Sequence, residues 1–484
     1  MIKRKTTLHL FDEVNVAFEG LEKHHINKII KATKLMIKGA FHTAEYKMKI
    51  TDGMESQFFS SGRTYFYMLD KVLPMVESFG YDIAIEDYRE SITTPKHIDK
   101  DFIAYTGLEL YWYQVESINK LIDTERGVFE LPTSAGKGLL SAIVTKVYED
   151  QLEFITIVPT EKLVKQVYAD CDMVGLDIGH ITKKMSKKQR EVEWSKKHVV
   201  CTWQLLKNNK HRLERFGGLI YDEMHVMGDV MFNILETELC HAVVRLGMTG
   251  TVPKDKHKRE KILCHIGGDV LIKIAPKQLQ DEGYISTCDI EMYSIEHRLE
   301  IFDISEWEWS DEDRYLLSNN QRASEIADFV LNLKKETTLI LCFKEFANKL
   351  KSLTGYDVIT GDTPEKEREE YYYKLEHEKD YQLIATYDTV GTGTSIDPIT
   401  CVVTVDIGKN ETRIVQSIGR GLRKDGNQNH LKVIDIYTKM CIYNSTSGKW
   451  VDFSFSGTKH VKERIRQYKK LHYPYKEVSN TIIS

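Results

Sequence analysis

Short apolar runs separated by polar turns and helix-length amphipathic segments organise this chain, and their character changes near residue 100. Over the first 95 residues TTLHLF and VNVAF alternate at the two-residue period of strands, and LEKHHINKIIKATKLM carries apolar positions at helical spacing. YKMKI and RTYFYM read as further strands, LDKVLPMVESFGY as a second helix and DIAIEDY as a last strand. Together they predict a small α+β module with its own core. It holds no nucleophile constellation, which favours binding over catalysis. From about residue 106 the pattern becomes short apolar strands followed by polar turns and helices: FITIVPT, HVVCTW, GLIYDE and VVRLGMTGT. Such runs predict strands buried on both faces of a parallel sheet. The pattern recurs after about residue 320 in TLILCF, YQLIATY, CVVTVDI and LKVIDIY. This predicts two doubly wound α/β domains, with ligands expected at the carboxyl ends of their strands. The interval 285–315, ending in ISEWEWSDEDR, reads as the crossover between them. Near the end, YTKMCIY and KWVDFSF flank NSTSGK as a hairpin, and the basic helix VKERIRQYKKLHYPY comes next. Tyr468, Tyr473 and Tyr475 could there offer stacking faces to bases, while a plain cap on the second domain fits the same pattern equally well.

Composition narrows this picture. At 484 residues the chain has room for about three domains of ~150 residues, and 42% hydrophobic content supplies their cores. No stretch approaches ~18 consecutive apolar residues, and MIKRKTTLHLF lacks a signal-peptide core, so a cytoplasmic protein that avoids membranes is expected. The eight cysteines include no Cys-x-x-Cys pair, which excludes zinc-ribbon and dithiol readings and predicts reduced core thiols. Net charge is −5, yet its distribution is uneven. Residues 183–198, 207–215, 254–261 and 459–476 together carry +17, leaving −22 on the rest. One such block is an ordinary solvated face; four of them favour a surface that tracks phosphates.

Three segments carry chemistry. GVFELPTSAGKGLLSAIVTKVY is a strand, a turn of small residues and a helix. Pro132, Thr133, Ser134, Ala135, Gly136, Lys137 and Gly138 would set backbone N–H groups and a helix N-terminus against phosphates, with Lys137 reaching the terminal ones. Against the full P-loop pattern, Pro132 replaces the first Gly and Gly138 replaces the Ser/Thr after the lysine. The second segment is Asp222-Glu223-Met224-His225 after the strand GGLIY: a strand-end Asp can hold Mg²⁺ through water and the adjacent Glu can polarise an attacking water. In the third, QSIGRGLRKDG, Arg420 and Arg423 stand three apart on one helix face, as guanidinium forks for a phosphoryl transition state.

In this order the segments resemble superfamily 2 helicases of the DExH type. Tyr113-Gln114 resembles the Q element, Pro132–Gly138 motif I, and Val158-Pro159-Thr160 with Gln166 motif Ia. Thr202-Trp203-Gln204 resembles the next, strand-contacting motif, DEMH motif II, and Thr249-Gly250-Thr251 motif III. Phe343-Lys344 resembles motif IV, Thr386 with Gly391-Thr392-Gly393 motif V, and Gln416–Arg423 motif VI. LPTSAGKG, TWQ, QSIGRGLRKDG and IRQYKK are also similar to phage branch-migration helicases of the UvsW type, and a looser likeness extends into the first 95 residues.

The resemblance implies two RecA-like doubly wound lobes with a small N-terminal DNA-binding domain and a C-terminal hairpin plus basic helix. Boundaries fall at 1–95, 96–284, 285–436 and 437–484. It implies ATP and Mg²⁺ as cofactors, with Lys137, Asp222, Glu223, Gln416, Arg420 and Arg423 catalytic and Gln114 at the adenine. Thr160, Thr202, Gln204, Phe343, Lys344, Thr386 and Thr392 would face nucleic acid. The implied activity is ATP-driven unwinding or branch migration of forks and four-way junctions in replication and recombination, in the host cytoplasm for a phage protein. An RNA helicase shares the same engine. A nucleotide-gated DNA-binding protein with weak hydrolysis is the rival that Gly138 motivates. Since Ser141 lies a helical turn beyond Gly138 and should point away from the phosphates, an extra water is expected to replace the missing hydroxyl in the Mg²⁺ shell.

Overall fold

The computed structural model describes residues 4–99, 102, 107–299, 308–333, 336–390, 399–408, 417–418, 422, 430–444 and 447–483. The chain divides into two compact units, residues up to 131 with 136–273, and residues 132–135 with 274–484.

In the first unit β1 (Arg4–Leu10) and β2 (Asn15–Glu19) pair antiparallel. A separate two-stranded ladder joins β3 (Lys34–Met36) to β4 (Met54–Ser56). With β5 (Arg63–Tyr65) and β6 (Tyr81–Asp87) the first pair forms a four-stranded sheet in the order β5-β2-β1-β6. Leu8, Leu10, Val16 and Phe18 alternate onto one face, where Ile29 of the helix Lys23–Thr33 and Val72 and Val76 of the helix Leu69–Ser78 cover them. Three local expectations need correction. The first helix ends at Thr33, whose hydroxyl donates back to Ile29 O at 2.8 Å, and the next residues turn into β3. YKMKI is not a strand: Thr43 Oγ1 accepts from Tyr46 N–H and caps the single turn Ala44–Lys47, leaving Met48 and Ile50 exposed. RTYFYM is extended only as far as Tyr65.

This module is continuous with the parallel sheet of the same unit. Cys264 completes its apolar core. Glu13 is buried and pairs with Arg126, whose Nη1 also donates to Glu13 O at 3.2 Å. Asn15 Nδ2 donates to Glu236 O at 3.0 Å, and Tyr67 donates to Asp269 at 3.1 Å. Excision of residues 1–95 would strand Arg126 without its carboxylate, so that truncation would damage the neighbouring sheet as well.

That sheet holds β7 (Arg126–Glu130), β8 (Phe154–Val158), β9 (Ile178–Ile181), β10 (His198–Thr202), β11 (Gly218–Tyr221), β12 (Val244–Thr249) and β13 (Val270–Lys273). All seven are parallel, in the order β13-β7-β12-β11-β8-β10-β9. The runs FITIV, HVVCT, GLIY and VRLGMT are buried along their whole length, as strands covered on both faces must be. Arg245 in β12 is a charged exception to the apolar character of these strands. Its fully buried guanidinium donates to Ile266 O at 3.2 Å and His265 O at 2.6 Å, satisfying the last carbonyls of the helix Lys256–Ile266.

The second unit contains β14 (Thr287–Leu299), β15 (Thr338–Cys342), β16 (Asp357–Ile359), β17 (Gln382–Thr386), β18 (Cys401–Val405), β19 (His430–Asn444), β20 (Lys449–Asp452) and β21 (Tyr475–Ile483). Seven lie parallel in the order β16-β17-β15-β18-β19-β14-β21, and β20 folds back antiparallel on β19 as the expected hairpin. The interval 285–315 is therefore no simple crossover. Within it TCDIEMYSIEHRL alternates inward and outward and forms β14, in the interior of the sheet. The chain's end also joins this sheet as β21. Tyr468 and Tyr473 are buried rather than offered to bases: Tyr468 donates to Asp435 at 3.0 Å, and Arg464 Nε meets the same carboxylate at 2.8 Å. The helix Val461–Lys470 is thus keyed into β19 by a desolvated ion pair.

All eight cysteines are free, and all except the half-buried Cys240 are buried. No described helix is long and apolar enough to cross a membrane. Asp435→Ala should leave Arg464 buried without its partner and cost about 3–5 kcal/mol. A fall in the urea midpoint of unfolding is the expected result, and an unchanged midpoint would contradict it.

Candidate active site

The carboxyl edge of the first parallel sheet gathers the predicted residues. Lys137 follows β7, Asp222 and Glu223 follow β11, and Thr249 ends β12, three strands that are neighbours in the order β7-β12-β11. Between β7 and the helix Lys137–Val147 the chain turns tightly: Ser134 has φ +71° and Gly136 φ +77°, and Ala135 N–H donates to Pro132 O at 3.3 Å. Left-handed residues in such a turn aim successive N–H groups into one concavity. Gly136 is required there, since a Cβ would meet Gln114 Nε2 at 2.6 Å. Gln114 is buried, and its Oε1 accepts from Tyr111 N–H at 2.9 Å. It braces the turn from behind.

Lys137 Nζ lies 3.5 Å from Glu223 Oε1 and 3.5 Å from Leu131 O. Glu223 itself is left-handed, with φ +52° and ψ +47°, a conformation unusual for a non-glycine residue and one whose cost is met elsewhere in the fold. Its backbone N–H donates to Asp222 Oδ1 at 2.9 Å, and Asp222 N–H donates to Ile157 O at 2.9 Å. Burial, then the neighbouring Glu223 charge, pushes the Asp222 carboxyl well above its usual range. Burial acts in the same sense on Glu223, but Lys137 and His225 outweigh it and hold that carboxyl below its ordinary value. One ionised acid beside one acid that resists ionisation is a site short of positive charge.

A third link runs from motif II to motif III. Thr249 Oγ1 accepts from Thr251 N–H at 3.2 Å, and it lies 3.1 Å from Thr251 O and 2.9 Å from His225 Nδ1. That nitrogen also lies 3.2 Å from Glu223 Oε2, a buried oxygen that accepts no hydrogen bond among the described residues. His225 was legible only as the last letter of DEMH. Its role as a bridge from Glu223 to Thr249 emerges from the adjacency of β11 and β12.

Three of the predicted nucleic-acid residues, Thr160, Thr202 and Gln204, occupy the other half of the same edge. Thr160 follows β8 and caps the helix Glu161–Met173, accepting from Leu163 N–H at 3.4 Å; Thr202 and Gln204 lie at the end of β10. Thr202 is only 2% exposed, so it does not present its hydroxyl to a strand. In the second unit Phe343 and Lys344 follow β15, and Thr386 ends β17, two adjacent strands. Phe343 packs edge-on against Tyr387 at 5.4 Å, and Lys344 reaches Asp362 at 2.5 Å. Thr386 is buried with its hydroxyl 2.9 Å from Thr389, so it too is turned inward. Thr392, Gln416, Arg420 and Arg423 lie outside the described residues. The basic blocks are partly neutralised: Lys210 pairs with Glu238 at 2.8 Å, Arg212 with Glu191 at 2.7 Å, and Arg464 belongs to the core. Not every charge counted in those blocks is free for phosphate.

A lysine beneath an N–H-lined turn, a strand-end acid pair and a doubly wound sheet define a nucleotide hydrolase. Residues 107–254 match the model of the type III restriction enzyme res subunit, and residues 321–425 match the helicase conserved C-terminal domain. The chain is 23% identical to the ATP-dependent DNA helicase uvsW of Enterobacteria phage T4 over 86% of its own length and 88% of that protein's. It is 21% identical to the DNA 3'-5' translocase XPB2 of Sulfurisphaera tokodaii, covering 69% of this chain and 82% of that one. Among solved structures, the fragment of a putative type I restriction enzyme HsdR subunit from Vibrio vulnificus aligns with TM-score 0.52 at 14% identity, over 73% of each chain. The chain belongs to superfamily 2 of the helicases, with a UvsW-like relationship. It is an ATP-dependent helicase with RecA-like parallel-sheet lobes.

Lys137→Ala and Glu223→Gln should each lower ATP hydrolysis by about two orders of magnitude or more, as expected when a charge-stabilising or base group is lost. Glu223→Gln should lower the thermal midpoint, because the fold holds this carboxyl ionised through Lys137 and His225 and the amide forfeits that attraction. Hydrolysis retained in either variant would contradict the site.

Proposed function

We propose that the chain is an ATP-dependent DNA helicase or translocase that unwinds or branch-migrates forks and four-way junctions in phage-type replication and recombination, in the host cytoplasm. One observation carries the reading: a single sheet edge bears the phosphate-directed group Lys137–Asp222–Glu223 at β7 and β11, on either side of β12, and Thr160 and Gln204 at the adjoining β8 and β10. Events at the nucleotide therefore have a short route to a bound strand, through Asp222 N–H on Ile157 O near the end of β8. The matching coverage of the T4 uvsW helicase supports DNA as the polymer.

In this reading the turn Pro132–Gly138 cradles the nucleotide phosphates, with Gln114 at the adenine. Lys137 holds the terminal phosphate, and Glu223 orients and deprotonates the attacking water with its Oε2. The residues fit a Mg²⁺ ion, since a cation beside Asp222 would let its buried carboxyl ionise. Asp222 would hold it through water. When bound, Mg²⁺ neutralises charge on the phosphate oxygens. Gln416, Arg420 and Arg423 are assigned to the transition-state charge on the same nucleotide. Thr160, Gln204, Phe343 and Lys344 face the strand, with Thr392 in the same role, while Thr202 and Thr386 support them from within.

The test is strand separation on a panel of labelled fork DNA, four-way DNA junction, plain DNA duplex and RNA duplex, with ATP and without. ATP-dependent resolution of the fork and junction ahead of the plain duplex is expected. Preference for the RNA duplex would make it an RNA helicase. DNA binding without any resolution would favour a nucleotide-gated binding protein instead.

A further inference from the structure

P-loop enzymes place Ser or Thr directly after the lysine because its hydroxyl ligates Mg²⁺. Here that position is Gly138, and its missing side chain is not empty space. A Cβ built on Gly138 would lie within contact distance of Asp170 Oδ2, 3.3 Å from Asp170 Cγ and 3.5 Å from Gln166 Nε2. A carboxylate from the neighbouring helix Glu161–Met173 fills the volume a seryl side chain would take. Gln166 and Asp170 stand four apart on that helix and so turn the same face toward Gly138. The next hydroxyl along, Ser141, is buried and donates to Lys137 O at 3.1 Å. It is committed to its own helix and cannot compensate.

We propose that Gly138 and Asp170 form one device, in which Asp170 supplies the metal-facing oxygen that the P-loop hydroxyl provides elsewhere. The inference rests on the ATP-site reading above and extends it to a metal-positioning residue that no P-loop motif contains. With the carboxylate in this position, a Cβ on residue 138 would collide with it. An anionic oxygen in place of a neutral hydroxyl has a distinct consequence. It attracts Mg²⁺ and repels nucleotide phosphates, so nucleotide binding should depend on metal unusually steeply.

The experiment measures binding of Mn²⁺ by its electron paramagnetic resonance signal at saturating ADP, and binding of a fluorescent ADP in EDTA. Asp170→Asn should weaken Mn²⁺ binding by ~10-fold or more, the scale on which residues that orient a metal's shell act, and leave metal-free ADP binding unchanged or tighter. Gly138→Ser alone should weaken Mn²⁺ binding through the clash. The double variant Gly138→Ser/Asp170→Ala should recover it, and this answers the question even where a single variant fails to fold. Unchanged Mn²⁺ affinity in Asp170→Asn overturns the proposal. So does an equal loss of ADP with and without metal, which would mark Asp170 as scaffold only. A parent chain that binds no ADP under either condition removes the ATP-site reading itself, and the proposal with it.

Discussion

One ammonium group stands against two carboxylates buried at the end of β11, and the rest of the site depends on that imbalance. At the 3.5 Å separation of Lys137 and Glu223, the gross attraction is about 5 kcal/mol in a medium of effective dielectric near 20. That attraction keeps Glu223 ionised in a place that would otherwise neutralise it. At Asp222 burial and the Glu223 charge outweigh the pull of Lys137 and His225, and its close donor among the described residues is the N–H of Glu223. The site is therefore stable enough to form but electrostatically unfinished, which is the condition for binding a divalent cation with an anionic nucleotide. The left-handed backbone at Glu223 is part of the same arrangement, since it brings both acids to one sheet edge at the expense of local strain.

The parallel sheets explain how that strain is borne. Strands buried on both faces hold β11 and β12 in fixed register, so His225 meets Thr249 without freedom to drift. Support also comes from outside the sheet. The N-terminal module delivers Glu13 to Arg126 at the start of β7, the strand that leads into the phosphate turn. Burial raises the Glu13 carboxyl while Arg126 lowers it, so the pair is costly to break from either side. The module is thus a structural buttress of the nucleotide lobe, whatever else it binds.

Much of this was legible in the primary structure, and the omissions have physical reasons. Runs such as FITIV and TLILC declare buried parallel strands because no charged residue interrupts them. The acid pair and the lysine turn declare themselves by residue type and position. YKMKI has strand-like alternation, but the cap from Thr43 is local and decisive. TCDIEMYSIEHRL carries the two-residue period of β14; its place between two α/β repeats disguised it as a connection. Tyr468 and Tyr473 look like surface aromatics within a basic segment until the helix docks, and only then does Asp435 claim the Tyr468 hydroxyl. Asp170 could not be read at all. Its meaning depends on the packing of one helix against another, and the lone signal in the chain was a glycine where a hydroxyl belongs.

In the proposed function, phosphate chemistry at β7, β12 and β11 is coupled to a strand held at β8 and β10. Steady-state ATP hydrolysis by the intact chain, with and without branched duplex DNA, tests it most directly. DNA should raise the rate at least about tenfold, a lowering of the barrier by about 1.4 kcal/mol. A rate that DNA leaves unchanged, or no hydrolysis under either condition, would contradict that coupling.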